Sequence, residues 1–405
     1  MNPGDIAARQ ISLHVPRASR VLLSLLARLQ HGTLRLVSPG GQIFSFPGEL
    51  PGPNAELRLS DWGVFTEVMR SGDIGFAEAY IDGRWDTPDL AALLLLAAMN
   101  RAVLEKALYG RWWGGLIYRL RHMLNANSRG GAKRNIHAHY DLGNDFYRAW
   151  LDRTMTYSSA LFEGQAERTF EEAQFAKYER ILATLDIGAD DHVLEIGCGW
   201  GGFAEHAART RGCRVLGITL SAEQLRFAGE RIRGAGLGDR VGFALTDYRD
   251  VAGKFDHVVS IEMFEAVGER YWPAYFSTVR DRLRPGGGAV VQTITIADEL
   301  FAQYRRGTDF IQQYVFPGGM LPSPGIFRTQ AQRAGLRAGG GVAFGLDYAE
   351  TLKRWRSRYA RAAGELRRFG FDSRFERLWN FYLAYCEAGF RAGSTDVMQV
   401  ELWRD

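Results

Sequence analysis

Val193-Leu194-Glu195-Ile196-Gly197-Cys198-Gly199-Trp200-Gly201-Gly202 reads as a buried strand that runs into a glycine turn and opens a helix. Val193, Leu194 and Ile196 suit a parallel strand covered on both faces. Gly197, Gly199 and Gly201 permit close backbone approach at its carboxyl end, and the helix that follows, Phe203 to Arg211, presents free N–H groups there. In a dinucleotide-binding turn those groups hold a pyrophosphate. Here Glu195, two residues before the first glycine, would repel a pyrophosphate and would suit a cation. The stretch points to a cleft for a nucleotide-like cofactor carrying positive charge, the plainer alternative being a tight strand-to-helix turn with no ligand.

Working outward, strand and helix patterns alternate on both sides of this turn. Strands are expected at Val193 to Ile196, Arg214 to Thr219, Val241 to Thr246, His257 to Glu262 and Ala289 to Ile294, with a last pair near Arg337 to Phe344 and Asp396 to Trp403. Such alternation predicts an α/β fold, a doubly wound and mostly parallel seven-stranded sheet. Ser221 with Gln224 three residues later is a helix-capping pattern after the second strand.

The first third of the chain reads differently. Val21, Leu22, Leu25, Leu26 and Leu29 recur at helical spacing, and short alternating runs follow (34–37, 42–46 and 55–59), separated by Pro and Gly punctuation. A small antiparallel sheet is expected there, with helices near 62–71 and 89–110. The stretch holding Trp112, Trp113, Ile117, Tyr118, Leu120 and Met123 suits either a membrane interface or packing against a second domain. Residues 125–135, rich in Asn, Ser, Gly, Lys and Arg, read as a linker. The expected organisation is a smaller α+β domain over 1–124 and the α/β domain over 136–405.

Composition narrows the classes. With 405 residues the chain is too long for one ordinary core, and 46% apolar against 24% charged residues describe a packed, water-compatible protein. A net charge of +4 argues against bulk nucleic-acid binding. Nine basic residues nevertheless fall in 351–379, interleaved with Trp355, Tyr359, Phe369, Phe371, Phe375 and Trp379, a composition that suits an anionic membrane surface or a solvated basic face. Cys198, Cys213 and Cys386 show neither metal-ligand spacing nor a disulfide framework, so no metal is expected and a reducing cytoplasm is. No signal peptide is visible, and the longest apolar run, Leu90 to Met99, is too short to span a bilayer. Lipid contact would be peripheral, at the inner face of the membrane.

Several blocks together resemble the cyclopropane fatty acid synthase and mycolic acid methyltransferase family. They are HAHYDLGNDFY (137–147), MTYSSALF (155–162), VLEIGCGWGG, GITLSAEQ (217–224), SIEMFEAVG (260–268), FIQQYVFPGGMLPS (310–323) and LDYAETLKRW (346–355). The first domain resembles, more weakly, the lipid-binding domain that precedes the catalytic one in cyclopropane synthases, GDIGFAEAYIDGRW (72–85) being the nearest piece. The resemblance implies S-adenosylmethionine (SAM) as cofactor. It places Tyr157 and Ser158 over the methionine part, Glu195, Gly197 and Gly199 at the turn, Thr219, Leu220 and Gln224 beside ribose and adenine, and Asp247 and Tyr248 at the adenine edge. Thr219 at the end of the second strand also favours SAM over a nicotinamide cofactor, which usually finds an acid there.

Family members transfer the SAM methyl to a cis double bond of an acyl chain, usually in a membrane phospholipid. An alkene has no proton to remove first, so positioning and exclusion of water matter more than a Ser, His or Cys activator. The cation left by transfer can be stabilised by ring faces and a carboxylate. Tyr140, Phe146, Tyr147, Tyr314, Phe316 and Tyr348 are the aromatic candidates, and Glu265 the carboxylate. In ring-forming relatives a bound bicarbonate takes the proton, held by a cysteine, a glutamate, a histidine, a tyrosine and backbone. Glu265 and Tyr348 match two of these positions, whereas Ser159 replaces the cysteine and Gln292 the histidine. Either bicarbonate binds differently or Glu265 is the base. Cyclopropane formation is the expected outcome, with methyl- or methylene-branched chains, including furan fatty acid precursors, as the competitor. Methylation of a small amine or hydroxyl compound, and a lipid-binding scaffold without activity, are the readings from other classes. A homo-oligomer and a partner reductase stay open.

Overall fold

The computed structural model describes residues 15–108, 142–165 and 167–405. The linker expected at 125–135, the aromatic stretch 112–123 and Tyr140 lie outside the described residues. The chain forms two compact units: Met1–Arg121 with Gly307–Tyr314 and Ala363–Ser394, and His122–Arg306 with Val315–Ala362 and Thr395–Asp405. A single boundary near 125–135 is therefore not the whole division, because two later segments pack with the first unit.

In the first unit, β1 (His31–Val37), β2 (Ile43–Pro47), β3 (Leu50–Leu59) and β4 (Trp85–Asp86) form one sheet in the order β2-β1-β3-β4. β1 pairs antiparallel with β2, but β3 returns along the other edge of β1 and pairs with it in parallel. The sheet is mixed, where an antiparallel one was expected, because β3 runs the same way as β1 and neighbours it instead of β2. The apolar run becomes the helix Leu90–Met99, capped by the Asp89 carboxylate on the Ala92 N–H and burying Leu90, Leu93, Leu94, Leu95 and Leu96. It is a core helix of this unit. Among the described residues no helix is long and apolar enough to cross a membrane.

The second unit is the doubly wound sheet. β5 (His192–Ile196), β6 (Arg214–Thr219), β7 (Val241–Leu245), β8 (Phe255–Ile261), β9 (Leu283–Ile296), β10 (Arg337–Ala343) and β11 (Thr395–Trp403) lie in the order β10-β11-β9-β8-β5-β6-β7. β5 to β9 are mutually parallel, and β11 runs antiparallel between β9 and β10. This is the doubly wound, mostly parallel seven-stranded sheet expected from the sequence. Two apolar layers cover it, one around Phe264, Trp272, Phe276 and Phe327, the other around Ile181, Leu182, Phe203 and Ala207.

In the basic segment 351–379 the six rings divide by burial. Trp355, Tyr359 and Trp379 are core residues. Phe371 and Phe375 are half-buried, which leaves Phe369 as the exposed ring of the six.

Candidate functional site

The sheet lines up its reactive edge by register. Ile196 of β5 sits opposite Ile218 of β6 and Ser260 of β8, and Ile261 of β8 opposite Gln292 of β9. Gly197, Thr219 and Glu262 thus stand at neighbouring carboxyl ends, beside the point between β5 and β8 where strand order reverses. Ligands of doubly wound folds bind there.

On the cofactor side the backbone does what the glycines imply. Gly197 has φ +85°, and a Cβ there would lie 2.8 Å from the Cβ and Cγ of Met263. Gly201, at φ +81°, caps the helix Gly202–Arg211 in a left-handed conformation. Beneath the turn Glu195 is buried, and its Oε2 takes no hydrogen bond from any described residue. Burial pushes this carboxyl up to about 8, against the opposing pull of Arg231 and Lys177. A buried acid with an unpaired oxygen fits a ligand that brings its own positive charge.

The other cofactor candidates divide into bonded groups. Thr219 Oγ1 donates to Gln224 Oε1 at 2.9 Å and accepts from the Ser221 N–H, while Ser221 Oγ accepts from the Gln224 N–H at 3.3 Å, so this trio holds itself in place beside Leu220. Asp247 is clamped by Arg249 through Nε at 2.8 Å and a terminal nitrogen at 2.6 Å. Tyr248 packs edge-on against Tyr275. Tyr157 is partly exposed within a cluster of rings, 5.4 Å from Tyr147 and 5.3 Å from Trp355. Ser158 presents its hydroxyl to Lys177 Nζ at 2.7 Å. Taken together, the unpaired carboxylate, the left-handed turn and the ring cluster fit a nucleoside with a sulfonium and an ammonium group.

The acid–base side differs from the expectation. Ser159, Gln292 and Tyr348 converge, but on Glu262 and not on Glu265. Glu262 Oε1 accepts from the Ser159 N–H at 2.8 Å and from Gln292 Nε2 at 2.7 Å, and Oε2 accepts from the Tyr348 hydroxyl at 2.6 Å. Ser159 contributes its backbone, its hydroxyl being turned to the Ala160 carbonyl. Gln292 is itself oriented by Gln399, whose Nε2 donates to its Oε1 at 3.0 Å. Glu262 occupies a left-handed conformation, φ +50°, immediately after β8. Desolvation pushes its carboxyl up, while Lys177, Tyr348 and the other donors pull it down.

Glu265 sits apart from that trio. Its Oε1 accepts from Thr293 Oγ1 at 3.0 Å and from the Ile294 N–H, and its Oε2 is buried without a partner among the described residues. Desolvation and the charge of Glu262 push it up to about 8. The two acids therefore stand apart: Glu262 is met by three donors and by the charge of Lys177, and Glu265, pushed up to about 8, keeps its proton at neutral pH. Lys177, buried and pushed down to about 7 by desolvation, supplies the nearest positive charge to Glu262, its Nζ held by Ser158 and by Gln174 Oε1 at 2.6 Å.

Of the aromatic candidates, Phe146 and Tyr147 are wholly buried, Tyr147 standing 5.0 Å from Trp200. Phe316 is partly exposed in the loop whose Met320 N–H donates to the Glu265 carbonyl. Tyr314 belongs to the first unit, where its hydroxyl meets Glu78. Sequence reasoning missed Glu262, Lys177, Trp200 and Trp355. For Glu262 the signal was present: it is an acid at the carboxyl end of a buried parallel strand.

The model of the family described as mycolic acid cyclopropane synthetase matches residues 127–400. The chain is 42% identical over 346 residues to tuberculostearic acid methyltransferase UfaA1 of Mycobacterium tuberculosis, covering 84% of this chain and 80% of that protein. It is 34% identical over 351 residues to cyclopropane-fatty-acyl-phospholipid synthase of Escherichia coli K12, with 85% and 87% covered. Among solved structures, mycolic acid cyclopropane synthase CmaA1 complexed with SAH and CTAB superposes with a TM-score of 0.63 at 30% identity, over 67% of this chain and 98% of that one.

Proposed function

The chain belongs to the mycolic acid cyclopropane synthetase family of SAM-dependent methyltransferases, and from that membership we propose that it methylates a cis double bond in a phospholipid acyl chain, leaving a methyl- or methylene-branched chain. The observation that carries the reading is the pairing of a ring cluster with a hydrogen-bonded carboxylate at one sheet edge, an arrangement suited to a cation on carbon. When bound, SAM supplies an electrophilic methyl: the alkene π pair forms the new carbon–carbon bond, sulfur keeps the pair of the bond that breaks, and a cation is left on the neighbouring chain carbon. The residues present then choose the product by where a proton leaves. Loss from the carbon that received the methyl turns that C–H pair into a double bond and leaves a methyl branch; loss from the methyl itself closes a ring or, once a hydride has moved with its electron pair from the methylated carbon to the neighbouring cation, leaves a methylene branch. The branched product is supported by the relative at 42% identity, whose name carries methyl transfer. Ring closure, the expectation from sequence, keeps the support of the Escherichia coli relative.

The test is incubation with SAM and vesicles of oleoyl or cis-vaccenoyl phospholipid, followed by mass spectrometry of the fatty esters. A gain of one CH2 is expected. NMR of the product then separates an olefinic or methylene branch from the upfield protons of a cyclopropane. Folded protein that binds SAM but leaves the esters unchanged would rule the reading out.

Glu195 makes the cofactor step pH-dependent. Its carboxyl is held protonated up to about 8, so a cationic ligand beside it displaces a proton on binding. SAM affinity is expected to rise with pH, approaching about tenfold per unit below the carboxyl's own titration point and levelling above it. Calorimetry in two buffers of different ionisation enthalpy reads the released proton directly. Glu195→Gln should remove both the slope and the release.

Contact with anionic lipid is part of the same proposal. Lys353, Arg361, Arg367, Arg368 and Arg374 are exposed, whereas three of the six rings among them are core and Phe369 alone of the six is exposed. Charge outweighs insertion in such a surface. Vesicle association is therefore expected to fall on the order of tenfold between low and high salt; sedimentation with phosphatidylglycerol vesicles measures it, and salt-independent association would mean that apolar insertion governs.

A further inference from the structure

We infer that the Glu262 carboxylate is this protein's own proton acceptor, covalently built into the position where relatives of the ring-forming kind hold a dissolved bicarbonate. The inference rests on the proposed alkene methylation and adds to it the identity of the base. Three groups that the resemblance assigns to bicarbonate, at positions 159, 292 and 348, all hydrogen-bond to Glu262. These donors are already taken by Glu262, so the base is argued without a bicarbonate and no step runs through one.

Two further features fit a base. A carboxylate offers about four acceptor sites, of which three are used here. One remains, on Oε2, for a proton from the substrate. The backbone supports the same conclusion, since Glu262 holds φ +50°, a conformation that costs a non-glycine residue on the order of 1 kcal/mol or more and that persists where the surroundings fix it. Burial and the three donors act in opposite directions on its basicity, and Lys177 balances its charge.

The step balances simply. One C–H bond of the methylated chain breaks, its electron pair forms the new bond within the chain, and the proton moves to Glu262 Oε2. No oxidant or reductant enters.

The experiment compares wild type, Glu262→Gln and Glu262→Gly in carbonate-free buffer, with and without added bicarbonate, formate or acetate. Wild type is expected to turn over equally in both conditions. Glu262→Gln should lose about 100-fold or more and stay lost, because the amide fills the position without accepting the proton. Glu262→Gly relieves the backbone and empties the position, so its activity should be low in carbonate-free buffer and rise at least about tenfold when a small carboxylate or bicarbonate is added. Calorimetric binding of S-adenosylhomocysteine within a few-fold of wild type shows that each variant is folded. Bicarbonate stimulation of the wild type, or a Glu262→Gln variant as active as wild type, would overturn the assignment. If the wild type yields no CH2 gain under any condition, the proposed function fails instead, and the two failures are told apart by that control.

Discussion

Gly197→Val is expected to reduce binding of S-adenosylhomocysteine by at least about 100-fold and to abolish methyl transfer with it. The reason is local and double. Position 197 needs φ +85°, which a β-branched residue does not adopt without strain of roughly 1 to 3 kcal/mol. A side chain there also meets Met263 at 2.8 Å, through a Cβ that is fixed to the backbone and has no rotamer to escape by. Relieving either conflict moves the turn away from the Ile218 carbonyl, to which the N–H groups of Gly197 and Cys198 both donate at 3.0 Å. Cofactor-facing backbone moves with it. Gly199→Ala is the control, because φ there is +51° but an added Cβ meets no protein atom within 4 Å. That variant should fold with a nearly unchanged thermal midpoint and still bind more weakly, because its methyl group fills space the ligand needs. Calorimetry on both variants, beside thermal unfolding, separates a collapsed turn from an obstructed one; equal affinity for wild type and Gly197→Val would remove the turn from the cofactor site.

The central sheet was legible because parallel strands covered on both faces are continuous apolar runs with turn residues at their ends. β6 matches its expected span, and β5 and β7 differ by one residue. β9 begins earlier than the expected Ala289, at Leu283, because the Pro285 to Gly288 stretch is taken into the strand through an irregular register against β8 between Phe255 and His257. The parallel pairing of β1 with β3 was not legible, because periodicity reports which face a strand buries and not which neighbour it finds. The same limit applied to the acids. Glu262 and Glu265 share one stretch, and motif matching selects Glu265. What separates them is the chain direction after β8: a left-handed residue at 262 turns that side chain toward Ser159, Gln292 and Tyr348, while the short helical turn Phe264–Ala266 carries Glu265 to the end of β9. A backbone torsion of this kind, at a residue that is not glycine, leaves no mark in composition or spacing.

Glu265→Gln tests that separation through stability. In the folded protein Glu265 keeps its proton up to about 8, against a model carboxyl at 4.5. Between those values the folded state binds a proton that the unfolded chain has released, so stability must fall as pH rises across this window and level off above it. At 1.36 kcal/mol per unit the full effect is about 5 kcal/mol, an upper limit because water partly reaches the residue. Glutamine reproduces the protonated acid: its oxygen accepts from Thr293 and Ile294, and its amide places N–H groups where the acid placed its O–H. The variant should match the wild type near pH 5 and exceed it by a few kcal/mol near pH 8.5 in urea unfolding. Part of the upward push comes from the charge of Glu262, so in a Glu262→Gln background the pH-dependent gain should shrink. Methyl transfer should survive in Glu265→Gln within about tenfold, because an acid that is already neutral at pH 7 is not the anion that receives the proton. A stability difference that does not change with pH would mean that Glu265 is ionised in the folded protein. The division of labour between the two acids would then have to be redrawn, with both carrying charge and sharing Lys177 as their counterion.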